Sequence, residues 1–371
     1  MKITAVETHH IAVPFSMGAD PVGFIGVGWT AMHTLFIRVV TDEGLEGWGE
    51  GFGHACCSST RAAIDTQLAP ALLGQDARDI AGLHHRMAQM LHLFGRNGPH
   101  LYARSALDIA LWDIAGKAAG LPLWRMLGAT PPKSFRAYAS LLRYGARASI
   151  AAAVSRALAQ GYRDVKLHEI LPDPVMAARE AAGPEARIML DTNCPWTIAQ
   201  AIEMARLLRP ANLTWLEEPV WPPEDWRGLA RVRREGGIPV AAGENAGGLM
   251  DFRAAFAAGA LDIAQPSVAK IGGITEMLRI AGLAQAEGVR LVPHCAYFGP
   301  GFLASLHLHA LLAPEEPFER LFVDLEASPY GEMVIADNGQ VSAPDGPGLG
   351  RDPDPAVLAK YAASAPTVLR I

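Results

Sequence analysis

The chain has 371 residues, half of them apolar, with a formal charge of −6. This length exceeds one ordinary core and suits a barrel with a second domain. The mild acidic balance leaves no basic footprint for nucleic acid and no polybasic membrane patch, and no run of about 18 apolar residues offers a membrane span. Four cysteines (Cys56, Cys57, Cys194, Cys295) show no framework spacing. With no apolar leader in MKITAVETHH, they predict reduced thiols and a cytoplasmic setting.

In chain order, residues 1–50 read as strands: MKITAVETHHIAV, then HTLFIRVV and LEGWGE flanking the turn TDEG. The Gly-rich segment SMGADPVGFIGVGW between them reads equally as a mobile loop or an irregular connection. Residues 60–128 read as helical. ALDIALWDIAGKAAG is apolar around most of its circumference, as a buried helix is, and Gly120 and Pro122 stop it. From about residue 134, short apolar strands alternate with Ala-rich helices, the pattern of parallel strands with helical crossovers. The Pro/Gly-rich tail PDGPGLGRDPDP is expected to wrap back onto the first domain.

Chemically active residues end successive strands at nearly even intervals. Lys166 and His168 end YRDVKLH, Asp191 ends IMLD, Glu217 ends TWLE and Glu244 follows PVAAG. From Lys166 the steps are 25, 26 and 27 residues, about one strand, one helix and two turns each. Such side chains at successive strand ends predict the mouth of a β/α barrel. Alternate residues of a strand share a face, so Lys166 and His168 point inward together while Glu218 faces away from Glu217. A single acid would be read as a helix N-cap. Three in phase repel one another and call for a counter-charge, and hard oxygen ligands suit Mg²⁺. His294 ends VRLVPH in the same phase, placed to act as acid or base near neutral pH. On the last expected strand, RLFVDLE, Asp324 and Glu326 share a face, and one of them is expected to reach the site.

With these residues in view, the chain resembles the enolase superfamily in its mandelate racemase/muconate lactonizing enzyme branch. GWGE at 47–50, ALDIALWDIAGK at 106–117, DTN at 191–193, EEP at 217–219, GEN at 243–245 and KIGGITE at 270–276 carry the resemblance, nearly end to end. It implies an α/β fold: a (β/α)₇β TIM-like barrel over 129–329, with an α+β capping domain formed by residues 1–128 and the tail 330–371. It also implies Mg²⁺ on Asp191, Glu217 and Glu244, with a small-molecule carboxylate substrate on the metal and a base that removes its α-proton to give an enediolate. His168 stands where many relatives carry the second Lys of Lys-x-Lys, so it takes the base's place and Lys166 would polarise the carboxylate. Ser267 stands where racemase-like relatives carry the Asp that partners His294, and muconate lactonizing relatives a catalytic Lys. Lys270 falls three residues too late to replace it and reads as structural.

The first functional reading is dehydration of a hydroxy or sugar acid, with His168 as base and His294 as acid. A racemase, epimerase or cycloisomerase is the alternative, and a non-catalytic metal-binding relative a third. Cap loops are expected to set specificity. Asn193 and Asn245 are candidate substrate contacts, with His54, Ser58 and Ser59, and Trp196, Tyr297 and Phe298 are expected near an apolar mouth. A homo-oligomer is expected.

Overall fold

The computed structural model describes residues 1–20, 28–130 and 133–371. The middle of the Gly-rich segment, residues 21–27, lies outside the described residues, and with it the choice between loop and connection.

Three antiparallel strands open the chain: β1 (Ile3–Ser16), β2 (Ala31–Thr41) and β3 (Glu46–Gly51). The TDEG turn joins β2 to β3, with Gly44 in the left-handed region (φ 78°). One face of this sheet buries Ile3, Val6, Leu35, Ile37 and Val39 against Ala103, Ala106, Leu107, Ala110 and Ile114 of the long helix Pro99–Ala119. That helix is buried on nearly every side and ends at Gly120 in the left-handed conformation, as its sequence predicts. The glycines of GWGE set the distance between sheet and helix. A Cβ on Gly47 would lie 2.1 Å from the Ala110 carbonyl oxygen, and one on Gly49 1.8 Å from that of Ala106. Helix backbone therefore rests directly on strand backbone. Asp113 fastens the arrangement, accepting from the backbone N–H of Trp48 (2.9 Å) and of Leu349 in the tail (2.7 Å), with Lys117 Nζ 2.9 Å away.

The opposite side of the long helix holds the barrel. Ser105 Oγ accepts from Gly272 N–H (2.8 Å), Asp108 from Thr275 N–H (2.9 Å), and Trp112 Nε1 donates to Thr275 Oγ1 (2.9 Å). Two stretches that carry the resemblance, ALDIALWD and KIGGITE, are thus the two halves of one interface.

The barrel strands are β4 (Phe135–Ser140), β5 (Asp164–Leu167), β6 (Arg187–Asp191), β7 (Leu213–Glu217), β8 (Val240–Ala242), β9 (Ile263–Ala264), β10 (Arg290–Leu291) and β11 (Phe318–Leu321). Each of the first seven is followed by a helix, from Arg147–Ala159 to Pro300–Leu312. Neighbours pair in parallel in sequence order from β4 to β10, and β11 returns to pair with β4. At the seam between β10 and β11 a side chain reaches across: Cys295 N–H donates to Glu319 Oε2 (2.8 Å). Strand alternation divides the residues as expected. Val165, Leu167, Ile188, Leu190 and Leu216 face the helices. Tyr138, Met189, Trp215, Ala241, Ile263 and Val292 pack with one another inside as a floor.

After β11 the chain returns to the first sheet. β12 (Asp324–Leu325) pairs with β1 at Phe15–Ser16, β13 (Gln340–Val341) pairs with β4, and β14 (Thr367–Arg370) pairs with β1 at Ala5–Thr8. Among the described residues no helix is long and apolar enough to cross a membrane.

The contact between Gly49 and the long helix leaves no room for a methyl group. Gly49→Ala is expected to destabilise the protein by about 1–3 kcal/mol through forced separation of strand and helix, read as a lower urea midpoint with an unchanged slope. A midpoint equal to the parent's would show that the sheet and helix can part freely.

Candidate active site

Above the floor, side chains at the strand ends converge. Lys166 is the penultimate residue of β5, Asp191 ends β6 and Glu217 ends β7, while Glu244 sits just past β8, Gln265 and Ser267 past β9, and His294 past β10. Lys166 is fully buried. Its Nζ lies 2.7 Å from Glu319 Oε1, 3.1 Å from Glu217 Oε1 and 3.5 Å from Asp191 Oδ2. Burial alone would strip its proton, but attraction from Glu217 and Glu319 outweighs it and holds the pKa well above an ordinary lysine's. Lys166 is a fixed cation.

His168 is half-buried beside it. Its Nδ1 faces the Leu141 carbonyl oxygen, which can only accept, so Nδ1 carries a proton and Nε2 is the ring's basic atom. Nε2 lies 3.2 Å from Asp191 Oδ2. Burial favours the neutral ring, but the Asp191 carboxylate raises its pKa above the usual histidine value. The other Asp191 oxygen accepts from Asn193 N–H (3.0 Å) and Nδ2 (3.1 Å).

Glu217 shows the crowding of negative charge. Burial, then repulsion from Asp191 and Glu319, raise it to about 7 although Lys166 pulls the other way. Its Oε2 accepts from Trp215 Nε1 (3.0 Å) and Gln265 Nε2 (2.9 Å), which fixes the carboxylate plane. Glu244 lies 2.8 Å from His294 Nε2. Burial pushes its pKa up, but Lys270 and His294 together hold it well below the carboxylate range. Glu218 points to the other side, against Asn245 Nδ2 (2.6 Å) and the Cys194 thiol (3.6 Å). Asn245 Nδ2 also reaches Glu244 (3.1 Å), and its Oδ1 accepts from Lys270 Nζ (3.2 Å). Asn193 and Asn245 are therefore tied to the acids of the cluster. Lys270, read from the sequence as structural, is buried against that cluster.

Three carboxylates on adjacent strand ends, each repelling the next, form a donor set of hard oxygens that fits Mg²⁺. As placed, no three acid, histidine or cysteine side chains among the described residues are drawn into an ion-holding group. Lys166 and the two histidines stand between the acids.

His294 Nδ1 is buried without a hydrogen-bond partner. The Ser267 hydroxyl pairs instead with Tyr297 Oη (3.2 Å), which donates to the His294 carbonyl oxygen (3.3 Å). Trp196, Tyr297 and Phe298 are all core residues. The partly open aromatic surface near the mouth belongs to the cap, at Phe52 and His54.

The last strand requires a correction. Asp324 is exposed and paired with Arg156 (2.8 Å), and Glu326 is exposed and bonded to Tyr361 Oη (2.8 Å). Neither reaches the cluster, because the barrel strand ends at Leu321 and the chain has by then turned toward β1. The acid on that strand which enters the site is Glu319. Burial would raise its pKa, but attraction from Lys166 and His294 holds it at about 2. It lies 25 residues after His294, the same interval that marks the other strand ends.

Residues 149–357 match the enolase C-terminal domain-like family model, and residues 10–128 the N-terminal domain model of mandelate racemase/muconate lactonizing enzymes. D-galactarolactone cycloisomerase of Agrobacterium fabrum is 34% identical over 94% of this chain and 96% of its own. Arabinonate dehydratase of Saccharolobus solfataricus is 30% identical over 89% and 91%. The crystal structure of a racemase from Streptomyces coelicolor A3(2) with bound magnesium superposes with a TM-score of 0.85 at 31% identity, covering 97% of this chain and all of that one. The chain belongs to the mandelate racemase/muconate lactonizing enzyme family of the enolase superfamily.

Proposed function

We propose that this protein removes the α-proton of a sugar-acid carboxylate and expels the β-oxygen, with Mg²⁺ held by Asp191, Glu217 and Glu244. The observation that carries the reading is the pair of imidazoles on separate arcs of the ring. His168 follows β5 and His294 follows β10, and each sets Nε2 against a carboxylate of the acid set, at 3.2 and 2.8 Å. When bound, Mg²⁺ supplies stabilisation of the charge that develops on the substrate's carboxylate oxygens. Lys166, fixed as a cation, adds to that stabilisation and is ruled out as a base by its three acidic neighbours. His168 takes the proton on Nε2, since Nδ1 is committed to Leu141.

The electron pair of the broken Cα–H bond becomes the Cα=Cβ bond as the Cβ–O bond breaks. His294 gives its Nε2 proton to the departing oxygen, and the enol product tautomerises to a 2-keto acid. If that oxygen is a free hydroxyl, the net reaction is dehydration, the activity named for the Saccharolobus relative. If it belongs to a ring, the same two proton transfers open the ring and the net reaction is isomerisation, as in the name of the Agrobacterium relative. The geometry favours these outcomes over racemisation, because His294 Nδ1 has no hydrogen-bond partner to orient the ring as a returning base.

Three outcomes test this reading. His168→Asn is expected to abolish deuterium uptake at the substrate α-carbon, a loss of roughly 10²–10⁴-fold, whereas His294→Asn keeps the uptake and loses product. The reverse pattern would put the base on the other face. Glu217→Gln relieves the repulsion that raises this acid, so the metal-free protein should melt no lower than the parent. Its Mg²⁺ affinity, read by titration calorimetry, should fall more than about tenfold, since even outer partners of metal ligands cost that much. Parental affinity would remove Glu217 from the metal site. Ser267→Ala removes one neutral hydrogen bond to Tyr297 and should cost about 0.5–1.5 kcal/mol of stability. A fall in kcat of several orders of magnitude would show that the hydroxyl takes part in proton transfer.

A further inference from the structure

The cap presents a run of aromatic rings to the barrel mouth that the chemistry above does not use. Phe15 meets Trp29 edge-on at 5.3 Å between ring centres, Trp29 meets His54 at 4.4 Å, and His54 meets Phe52 at 4.8 Å. Phe52 in turn meets Tyr102 at 5.3 Å and carries Lys270 Nζ 4.7 Å above its ring. All five rings are only half-buried. The run is tied to the site. Phe52 N–H donates to the Ala269 carbonyl oxygen, and Lys270 bonds Asn245 beside Glu244. Burial first, and Lys270 second, hold the His54 imidazole down to about 4, against a hydrogen bond with the Ala296 backbone. His54 is therefore a neutral hydrogen-bonding group within an aromatic wall.

Such a wall is poorly matched to an open-chain polyol. Several hydroxyls would leave water and find one imidazole, the Tyr102 phenol and a lysine already bonded to Asn245, and each unpaired hydroxyl counts against binding. A sugar ring has a continuous C–H face that lies flat on an aromatic surface, with fewer free hydroxyls to satisfy. We infer that this wall, centred on Trp29, His54 and Phe52, selects a sugar acid in ring form over an open-chain aldonate, with His54 bonding one ring hydroxyl. The inference rests on the α-proton reading above.

The test is deuterium uptake at the α-carbon and keto-acid release by the Mg²⁺-loaded enzyme, across lactone-ring, anhydro-ring and open-chain sugar acids. Ring substrates are expected to show at least about tenfold higher kcat/KM, the upper range of what a good aromatic contact supplies. Trp29→Leu should raise KM for the best ring substrate by about fivefold or more with the loss falling on KM rather than kcat, and Trp29→Phe should recover most of it. Preference for open-chain acids overturns the inference and leaves the α-proton reading intact. Equal KM values for the parent and Trp29→Leu on a ring substrate also overturn it. Exchange with neither class overturns the α-proton reading itself, and the inference with it.

Discussion

Lys166 carries an ammonium group into a place without water, and the strand ends around it are arranged to keep it there. Burying an unpaired charge costs several kcal/mol even after relaxation. Here Asp191, Glu217 and Glu319 answer it from three other strands. The dependence runs both ways. Without the lysine, three buried carboxylates would face one another with only the histidines to separate them, and Glu217 is already raised to about 7 with the lysine in place. In a site balanced in this way, a divalent cation would exchange partners with Lys166 rather than add an uncompensated charge to the interior. The same balance sets two neighbouring basic residues apart. Attraction from Glu217 and Glu319 holds the Lys166 pKa well above an ordinary lysine's, while His168, whose Nδ1 faces a carbonyl, presents Nε2 to Asp191.

The cap and the barrel share one buried apolar cluster, and hydrogen bonds from the long helix fix how the two meet. The long helix Pro99–Ala119 presses its backbone on β3 on one side and holds the 270–276 loop on the other. Lys270 sits at the start of that loop, in contact with Asn245 and beneath the aromatic wall. Placement of the cap's rings is thereby linked to placement of Glu244. A change at the helix–strand contact would be felt at Asn245 and Glu244 through Lys270.

Much of the site is legible in the sequence because a β/α unit has a nearly constant length. The period of 25 to 27 residues and the two-residue alternation of strands are enough to gather Lys166, His168, Asp191, Glu217, Glu244 and His294. The same period, carried one step further, reaches Glu319. It is hidden because the strand is read from the sequence as RLFVDLE, which starts one residue after it, while the folded strand is Phe318–Leu321 and the acids after it turn outward to Arg156 and Tyr361. Ser267 is legible as an absence of charge, but not its pairing with Tyr297, because a hydroxyl offers no electrostatic signal in a sequence. The role of Lys270 is hidden for another reason. Its partners Asn245 and Phe52 lie 25 and 218 residues away, the latter in the other domain, and no local pattern joins them.

β14 completes the first sheet by pairing residues 367–370 with residues 5–8. The strand that opens the chain thus waits, during synthesis, for a partner hundreds of residues away, while each β/α unit can pack on its predecessor as it emerges. A nascent chain that has passed Leu321 holds all eight barrel strands and the whole acid cluster, yet still exposes one edge of β1. That edge is an unpaired ladder of N–H and C=O groups, open to pairing with another chain until the segment near residue 370 has left the ribosome. The order of synthesis therefore gathers the acid cluster before the first sheet is complete.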